Sequence, residues 1–301
     1  MIFNKTLDAR HPAIKEAVTE LFDAAFKNQT HEQDLLLILE HGFYEAKNDG
    51  TVFNGGMRFS PFVIGPKDIG YSLQTNFEFY NWYRTSHLVD KEEFDRKKEE
   101  PEVQEFEKTT IHLEKMVYLK FWESDMMLKE LYQLTELAIG KPYDWYLNIP
   151  TNPKEGSKQE LIREEIRDKI ISVCPKFYSL IKENYKSQLR NAIAHSQYGF
   201  MGRTVQYLNF SKDKNAHCPI SHLPFEDWSN CFHDTLLLYN DIISGLNKYR
   251  DHYHQKTLDN NNGIEIRICK KNDTTQTKEL GIRRGFKAWA WRENLDKADF
   301  S

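Results

Sequence analysis

An arginine, an amide and an imidazole stand close together in Leu189-Arg190-Asn191-Ala192-Ile193-Ala194-His195-Ser196. A guanidinium presents a planar fork of donors that fits phosphate oxygens, and an imidazole both takes and gives a proton near neutral pH. The three together could bind a phosphate and move a proton beside it. Their spacing decides where they point. On an α-helix, at about 100° per residue, Tyr185, Leu189 and Ile193 form an i, i+4 ladder that faces a core, while Asn191 and His195, also i, i+4, share the opposite face. The histidine thus turns away from the packing stripe of its own helix. The same residues also have a plainer role, because Arg and His near a helix C-terminus favour the macrodipole and hydrogen-bond the last carbonyls.

Helices must hold this trio. A helical run starts near Ser157 and carries Leu161, Ile162, Ile166, Ile170 and Ile171, and Pro175 kinks or splits it, so that the trio rides on a short helix over residues 176–196. Before it the pattern predicts one long helix over residues 110–139, with Leu113, Val117, Phe121, Leu128, Leu131, Leu134 and Ala138 as its stripe and Gly140 and Pro142 as its stop. After it, Gly199-Phe200-Met201-Gly202 ends the helix, residues 204–210 read as a strand, and a closing helix runs over residues 226–253. Further upstream lie a helix over residues 12–28 with Pro12 near its start, a second helix capped by Thr30, and a hairpin over residues 51–64 around Asn54-Gly55-Gly56. The aromatics Phe77, Phe79, Tyr80, Trp82 and Tyr83 read as core, and the mixed charges of residues 90–108 as a solvated helix or linker broken at Pro101.

The 301 residues, 40% hydrophobic and 13% aromatic, suffice for a well-filled interior. No apolar run approaches the ~18 residues of a membrane span, and Met1-Ile2-Phe3-Asn4-Lys5 turns polar at once, so neither a membrane segment nor a leader is expected, and the cytoplasm is the default location. Cys174, Cys218, Cys231 and Cys269 are widely spaced and read as free thiols. His217, Cys218, His222, Cys231 and His233 could supply metal ligands, but their spacing matches no zinc pattern, and neither a metal nor a cofactor is expected. A net charge of −4 confines any nucleic-acid contact to a local basic patch. One such patch follows a polar linker and a strand over residues 264–269. Between Ile264 and Glu293 eight Lys or Arg stand against four Asp or Glu, interleaved with Phe286, Trp289 and Trp291. There Arg283, Arg284 and Lys287 could hold single-stranded RNA, and the equal alternative is a small β appendage packed on the helices. Walker, GxSxG, HExxH, EF-hand and dinucleotide motifs are absent.

Arg190-Asn191-x-x-x-His195, late in a helical domain and followed by Ser196, Tyr198 and a short polar stretch, resembles the Arg-x(4 to 6)-His motif of the HEPN superfamily, in which a polar residue follows the arginine. The resemblance extends over residues 105–255 and implies a mainly α fold, a HEPN-like helical bundle, to which small β-hairpin insertions and appendages are added. Residues 1–104 then form an N-terminal helical and hairpin region and 256–301 a basic, aromatic β appendage. RNA brings its own nucleophile, the 2′-hydroxyl, so cleavage needs a base, an acid and positive charge on the phosphorane. One Arg and His pair offers a single proton-transfer group. HEPN ribonucleases imply the remedy, two protomers facing each other so that paired motifs form one composite site. The resemblance therefore implies a metal-independent endoribonuclease of the toxin or phage-defence type. In it Arg190 holds phosphate, His195 transfers protons and Asn191 orients the histidine or binds an oxygen, with RNA as substrate, a homodimer, and an antitoxin or sensor as partner. The alternative is a catalytically silent HEPN-like module that binds RNA, nucleotide or a partner protein.

Overall fold

The computed structural model describes residues 1–45, 52–53, 57–58, 61–64, 73–150, 157–213, 218–283 and 288–297. Helices dominate, and burial of one stripe per helix explains their arrangement. Helix α1 (Asn4–Asn28) turns Leu7, Ile14, Ala17, Val18, Leu21, Phe22 and Ala25 inward. It begins at Asn4, well before Pro12, which lies inside it at the loss of one backbone donor. Tertiary contacts outweigh that loss: Arg10 pairs with Asp234, and His11 Nε2 meets Asp241 Oδ1 at 3.0 Å. Helix α2 (Asp34–Leu39) is buried along its whole length, and strand β1 (Phe43–Tyr44) follows. Strand β2 (Val52–Phe53) pairs with β3 (Met57–Arg58) and not with residues 59–64 as expected, and the Asn54-Gly55-Gly56 segment between them lies outside the described residues. Strand β4 (Phe62–Val63) pairs with β1.

Helix α3 (Leu73–Ser86) buries Tyr80 and Tyr83 but exposes Trp82. The charge run is helix α4 (Lys91–Lys97), capped by the Asp90 side chain on Glu93 N at 2.7 Å and laced by Lys91–Asp95 and Lys97–Glu93 pairs. As expected, the charged stretch is broken at Pro101, which opens the next helix, α5 (Pro101–Glu123), at the first turn, where a missing N–H costs nothing. The single long helix expected over residues 110–139 is two, α5 and α6 (Asp125–Ala138). Ser124 takes an extended conformation and caps α6 by accepting from Met127 N at 3.4 Å.

Helix α7 (Lys158–Glu160) starts with a Ser157–Glu160 capping box and passes into a π-helix (Leu161–Asp168). The expected helix over residues 176–196 is also two, α8 (Pro175–Asn184) and α9 (Ser187–Ala194), with Tyr185 and Lys186 extended between them. The groups freed by the break are met by one side chain: the Tyr118 hydroxyl of α5 donates to Asn184 O at 2.8 Å and accepts from Lys186 N at 3.3 Å. Strands β5 (Tyr198–Phe200), β6 (Thr204–Tyr207) and β7 (His222–Pro224) form an antiparallel meander in that order. Helix α10 (Phe225–Asp259) is the central post, packed on α1, α5 and α8. It passes α1 so closely that a Cβ on Gly245 would sit 2.4 Å from the Phe22 ring. Strands β8 (Ile264–Cys269), β9 (Thr275–Ile282) and β10 (Trp289–Trp291) make a second antiparallel sheet, and a 3₁₀ turn (Arg292–Lys297) ends the described chain.

The boundaries expected near residues 104 and 256 fall inside α5 and α10. Leu21 and Leu37 from the first stretch, Trp122, Leu134 and Leu189 from the second, and Ile266 and Trp289 from the third all join one continuous core. No described helix is long and apolar enough to cross a membrane.

Candidate active site

Helix α9 turns Leu189 and Ile193 inward as the periodicity predicts, whereas Tyr185, expected on the same helical ladder, lies in the extended break before it. Tyr185, Leu189 and Ile193 are buried, Arg190 and Asn191 are half-buried, and His195 is exposed. His195 is the C-cap of α9. Ser196, in the left-handed region at φ 53°, donates from its N–H to Ile193 O at 3.2 Å, and Gln197 N donates to Ala192 O at 2.7 Å. That pair of bonds is a Schellman turn, formed here with Ser at the position that usually takes Gly, and it fixes the backbone from which the imidazole projects. The ring itself makes no hydrogen bond among the described residues, to a helix carbonyl or to anything else.

Arg190 is held from the side. Its Nε donates to Glu123 Oε1, and its Nη1 donates to Asn191 Oδ1 at 3.0 Å. Gln159 Nε2 donates to the same Asn191 oxygen at 2.6 Å. Lys158 closes the cluster: Nζ lies 2.7 Å from Asp125 Oδ1, 3.7 Å from Glu123 Oε2, and donates to Glu123 O at 2.8 Å. The Glu123 carboxylate beside it raises the guanidinium pKa further above its ordinary range, so Arg190 is always charged. Arg190 and Lys158 stand against Glu123 and Asp125, so the cluster is neutral, and Arg190 Nη2 is left without a partner among the described residues. Arg190 and Asn191 are thus brought together, whereas His195 makes no hydrogen bond to either side chain. The Asn191 oxygen accepts from both Arg190 and Gln159.

Behind the site a second cation is wholly enclosed. Lys115 of α5 is 0% exposed, and its ammonium lies 3.6 Å from the Tyr198 ring centroid, 4.8 Å from that of Phe200 and 5.6 Å from that of Trp228, with no hydrogen-bond partner. Burial pushes its pKa down to about 7, and the three ring faces oppose that shift by favouring the charged form. His112 adds a 2.9 Å contact to the Tyr198 hydroxyl. The strand that follows the motif is thereby locked to α5.

Of the histidine and cysteine residues weighed as metal ligands, His233, Cys231 and His222 each have separate engagements. His233 is fully buried with both ring nitrogens used, Nε2 accepting from Phe3 N at 3.0 Å and Nδ1 lying 2.7 Å from Ser229 O, and burial lowers its pKa to about 4. The Cys231 thiol, pushed up to about 12 by burial, donates to Asn184 O. His222 is exposed on β7 and meets only Ser221 Oγ, at 3.1 Å, and His217 lies outside the described residues. Among the described residues no three His, Cys, Asp or Glu side chains come together.

The basic tail separates into its parts. Trp289 and Trp291 are 4% and 8% exposed, and Trp289 Nε1 donates to Thr257 Oγ1 at 2.9 Å, so these rings pack the sheet onto α10 and offer no stacking face. Arg283 lies at the end of β9, its N–H bonded to Ala288 O, and Arg284 and Lys287 lie outside the described residues.

Glu123, Lys158 and Gln159 were missed in the sequence. Their partners are 32 to 67 residues away, and nothing local to Glu123 marks it except the Ser124 helix start beside it. The chain matches no known protein family, no characterised protein and no solved structure.

Proposed function

We propose that the chain is a metal-independent endoribonuclease of the HEPN kind, acting as a homodimer on RNA as a toxin or phage-defence effector. The observation that carries this reading is His195: an exposed imidazole with no hydrogen bond among the described residues, set on a helix end five residues from a buttressed arginine. The 2′-hydroxyl of the substrate attacks the adjacent phosphorus, and one His195 takes its proton. The partner's His195 protonates the departing 5′-oxygen, leaving a 2′,3′-cyclic phosphate and a free 5′-hydroxyl. Arg190 Nη2 meets a non-bridging oxygen as charge builds on the phosphorane, while Glu123 and Asn191 hold the guanidinium in place.

The second reading, a catalytically silent HEPN-like module that binds RNA, nucleotide or a protein, is favoured by one observation. The charge of Arg190 is already neutralised by Glu123. Incubation of the purified protein with total RNA in EDTA separates the two. Cleavage that His195→Ala abolishes supports the nuclease, and intact RNA across micromolar enzyme gives the module.

A further inference from the structure

At the other end of α9, the π-helix, the α8–α9 break and residues 211–213 and 218–220 enclose an open groove of about 710 Å³. Arg163, Arg167, Lys182, Lys186 and Lys212 line it against the carboxylates of Glu164, Asp168 and Asp213. Two of the acids are spent on their neighbours: Arg167 grips Asp168 at 2.6 and 2.9 Å, and Arg163 Nη2 lies 3.5 Å from Glu164. Among the described residues the three lysines form no ion pair with a carboxylate. Lys182 sits over the Tyr178 ring, Lys186 donates only to Lys182 O at 2.6 Å, and Lys212 is exposed. Tyr185 also lines the groove. It is 3% exposed, yet its hydroxyl has no hydrogen-bond partner. A buried hydroxyl left unpaired costs ~1–3 kcal/mol, and an acceptor entering from the groove would remove that cost. The hydroxyl lies within the electrostatic reach of Arg163 and Arg167 on the groove side and of Arg190 and Glu123 on the other, so it stands between the groove and the candidate active site.

We propose that this groove holds the sugar–phosphate backbone of a single RNA strand, with its phosphates on Lys186, Lys212 and the two arginines and one phosphate oxygen accepting from the Tyr185 hydroxyl. The proposal deepens the nuclease reading and rests on it for the direction of the strand, which runs from the groove past Arg190 to His195. A surplus of lysines without acidic partners is what a polyanion neutralises, and a groove open along its length admits a strand more readily than it encloses a small molecule. Gln188 keeps the groove wall in place, its side chain joining Ile220 at both ends, Nε2 to O at 2.6 Å and Oε1 to N–H at 2.9 Å.

The test is binding, measured apart from cleavage. A fluorescein-labelled 2′-O-methyl RNA of about 15 nucleotides cannot be cut by its own 2′-oxygen, and anisotropy gives its affinity for the full chain at several salt concentrations. Lys212→Glu and Lys186→Glu are each expected to weaken binding about tenfold or more and to lower the salt slope by roughly one. Tyr185→Phe should weaken it severalfold without a change in slope. Lys270→Glu, on the β8–β9 turn, should leave affinity within twofold. Lys212 is exposed, so its reversal tests the groove even where Lys186→Glu impairs folding. Wild-type affinity in a folded Lys212→Glu variant overturns the proposal, as does absence of strand binding by the unaltered protein. Displacement of the strand by micromolar mononucleotide or inorganic phosphate overturns it too, in favour of a small-anion site. Strand binding that depends on the groove, with no RNA ever cut, would sink the nuclease reading alone. Cleavage that needs His195 and ignores the groove lysines would sink this inference alone.

Discussion

The chain concentrates positive charge in two places, and folding treats them in opposite ways. The C-terminal sheet has the denser run of Lys and Arg along the sequence. There Trp289 and Trp291 turn inward and several cations are tied down, Arg292 to Glu279, Lys278 to Glu293 at 3.6 Å, and Arg267 to Thr30 Oγ1 at 2.6 Å. The groove beside α9 draws its cations from four separate segments, and among the described residues its three lysines form no ion pair. Charge density along a chain therefore says little about charge presented to a ligand. What matters is whether the fold also brings acids or buries the spacers between the cations.

The largest effect expected from testing this contrast is on the tail. Trp289→Ala should lower stability by ~3–5 kcal/mol, as for a large aromatic removed from a core, with its bond to Thr257 lost as well. Chemical denaturation reads it directly. A variant that melts like the parent but binds RNA poorly would make Trp289 a stacking platform and reverse the contrast.

Lys115 carries the comparison inside the protein, where a cation has neither acid nor water. Burial lowers its folded pKa to about 7 from an ordinary 10.5, so between these values the unfolded chain binds more protons than the native one, and stability rises with pH across that window. The ring contacts offset part of the penalty, so the rise should be about 2 kcal/mol. Denaturation of the parent and of Lys115→Met at pH 7 and pH 10 isolates it: the advantage of the methionine variant should shrink with rising pH. An advantage independent of pH would mean that the amine keeps its proton throughout.

A smaller effect belongs to the break that builds the groove. Tyr118→Phe leaves Lys186 N without its side-chain acceptor and Asn184 O with only the Cys231 thiol, which should cost ~1–2 kcal/mol. It should also weaken strand binding, because Lys186 sits on the break. Unchanged stability and affinity together would show that the hydroxyl does not hold the break.

Much of this was legible in the sequence where burial follows a period. The inward Leu189 and Ile193, the exposure of His195, the inward face of α1 and the alternation of β8 all follow from spacing. The breaks at Ser124 and at Tyr185-Lys186 did not, because the apolar stripe continues across each, and only a cap or a distant hydroxyl marks the interruption. The engagement of Arg190 was likewise hidden, since Glu123 lies on another helix. In the groove, Arg163 and Arg167, and Lys182 and Lys186, repeat at i, i+4 in plain view, but their convergence needs the π-helix and the break.

The most direct test of the account uses RNA carrying 2′-hydrogen at one known cut site, incubated in EDTA with the parent protein and with His195→Ala and Arg190→Ala. All-ribose RNA should be cut to 2′,3′-cyclic phosphate ends, and each variant should lose at least ~10² in rate, roughly 2.7 kcal/mol of transition-state stabilisation, with its melting temperature nearly unchanged. Arg190→Lys should recover only part of that rate, because ammonium keeps the charge and loses the fork. The substituted bond should stay whole, since its nucleophile is gone. Cleavage at that bond, or loss of activity in EDTA, would contradict a reaction in which the substrate supplies the attacking oxygen and His195 moves the proton.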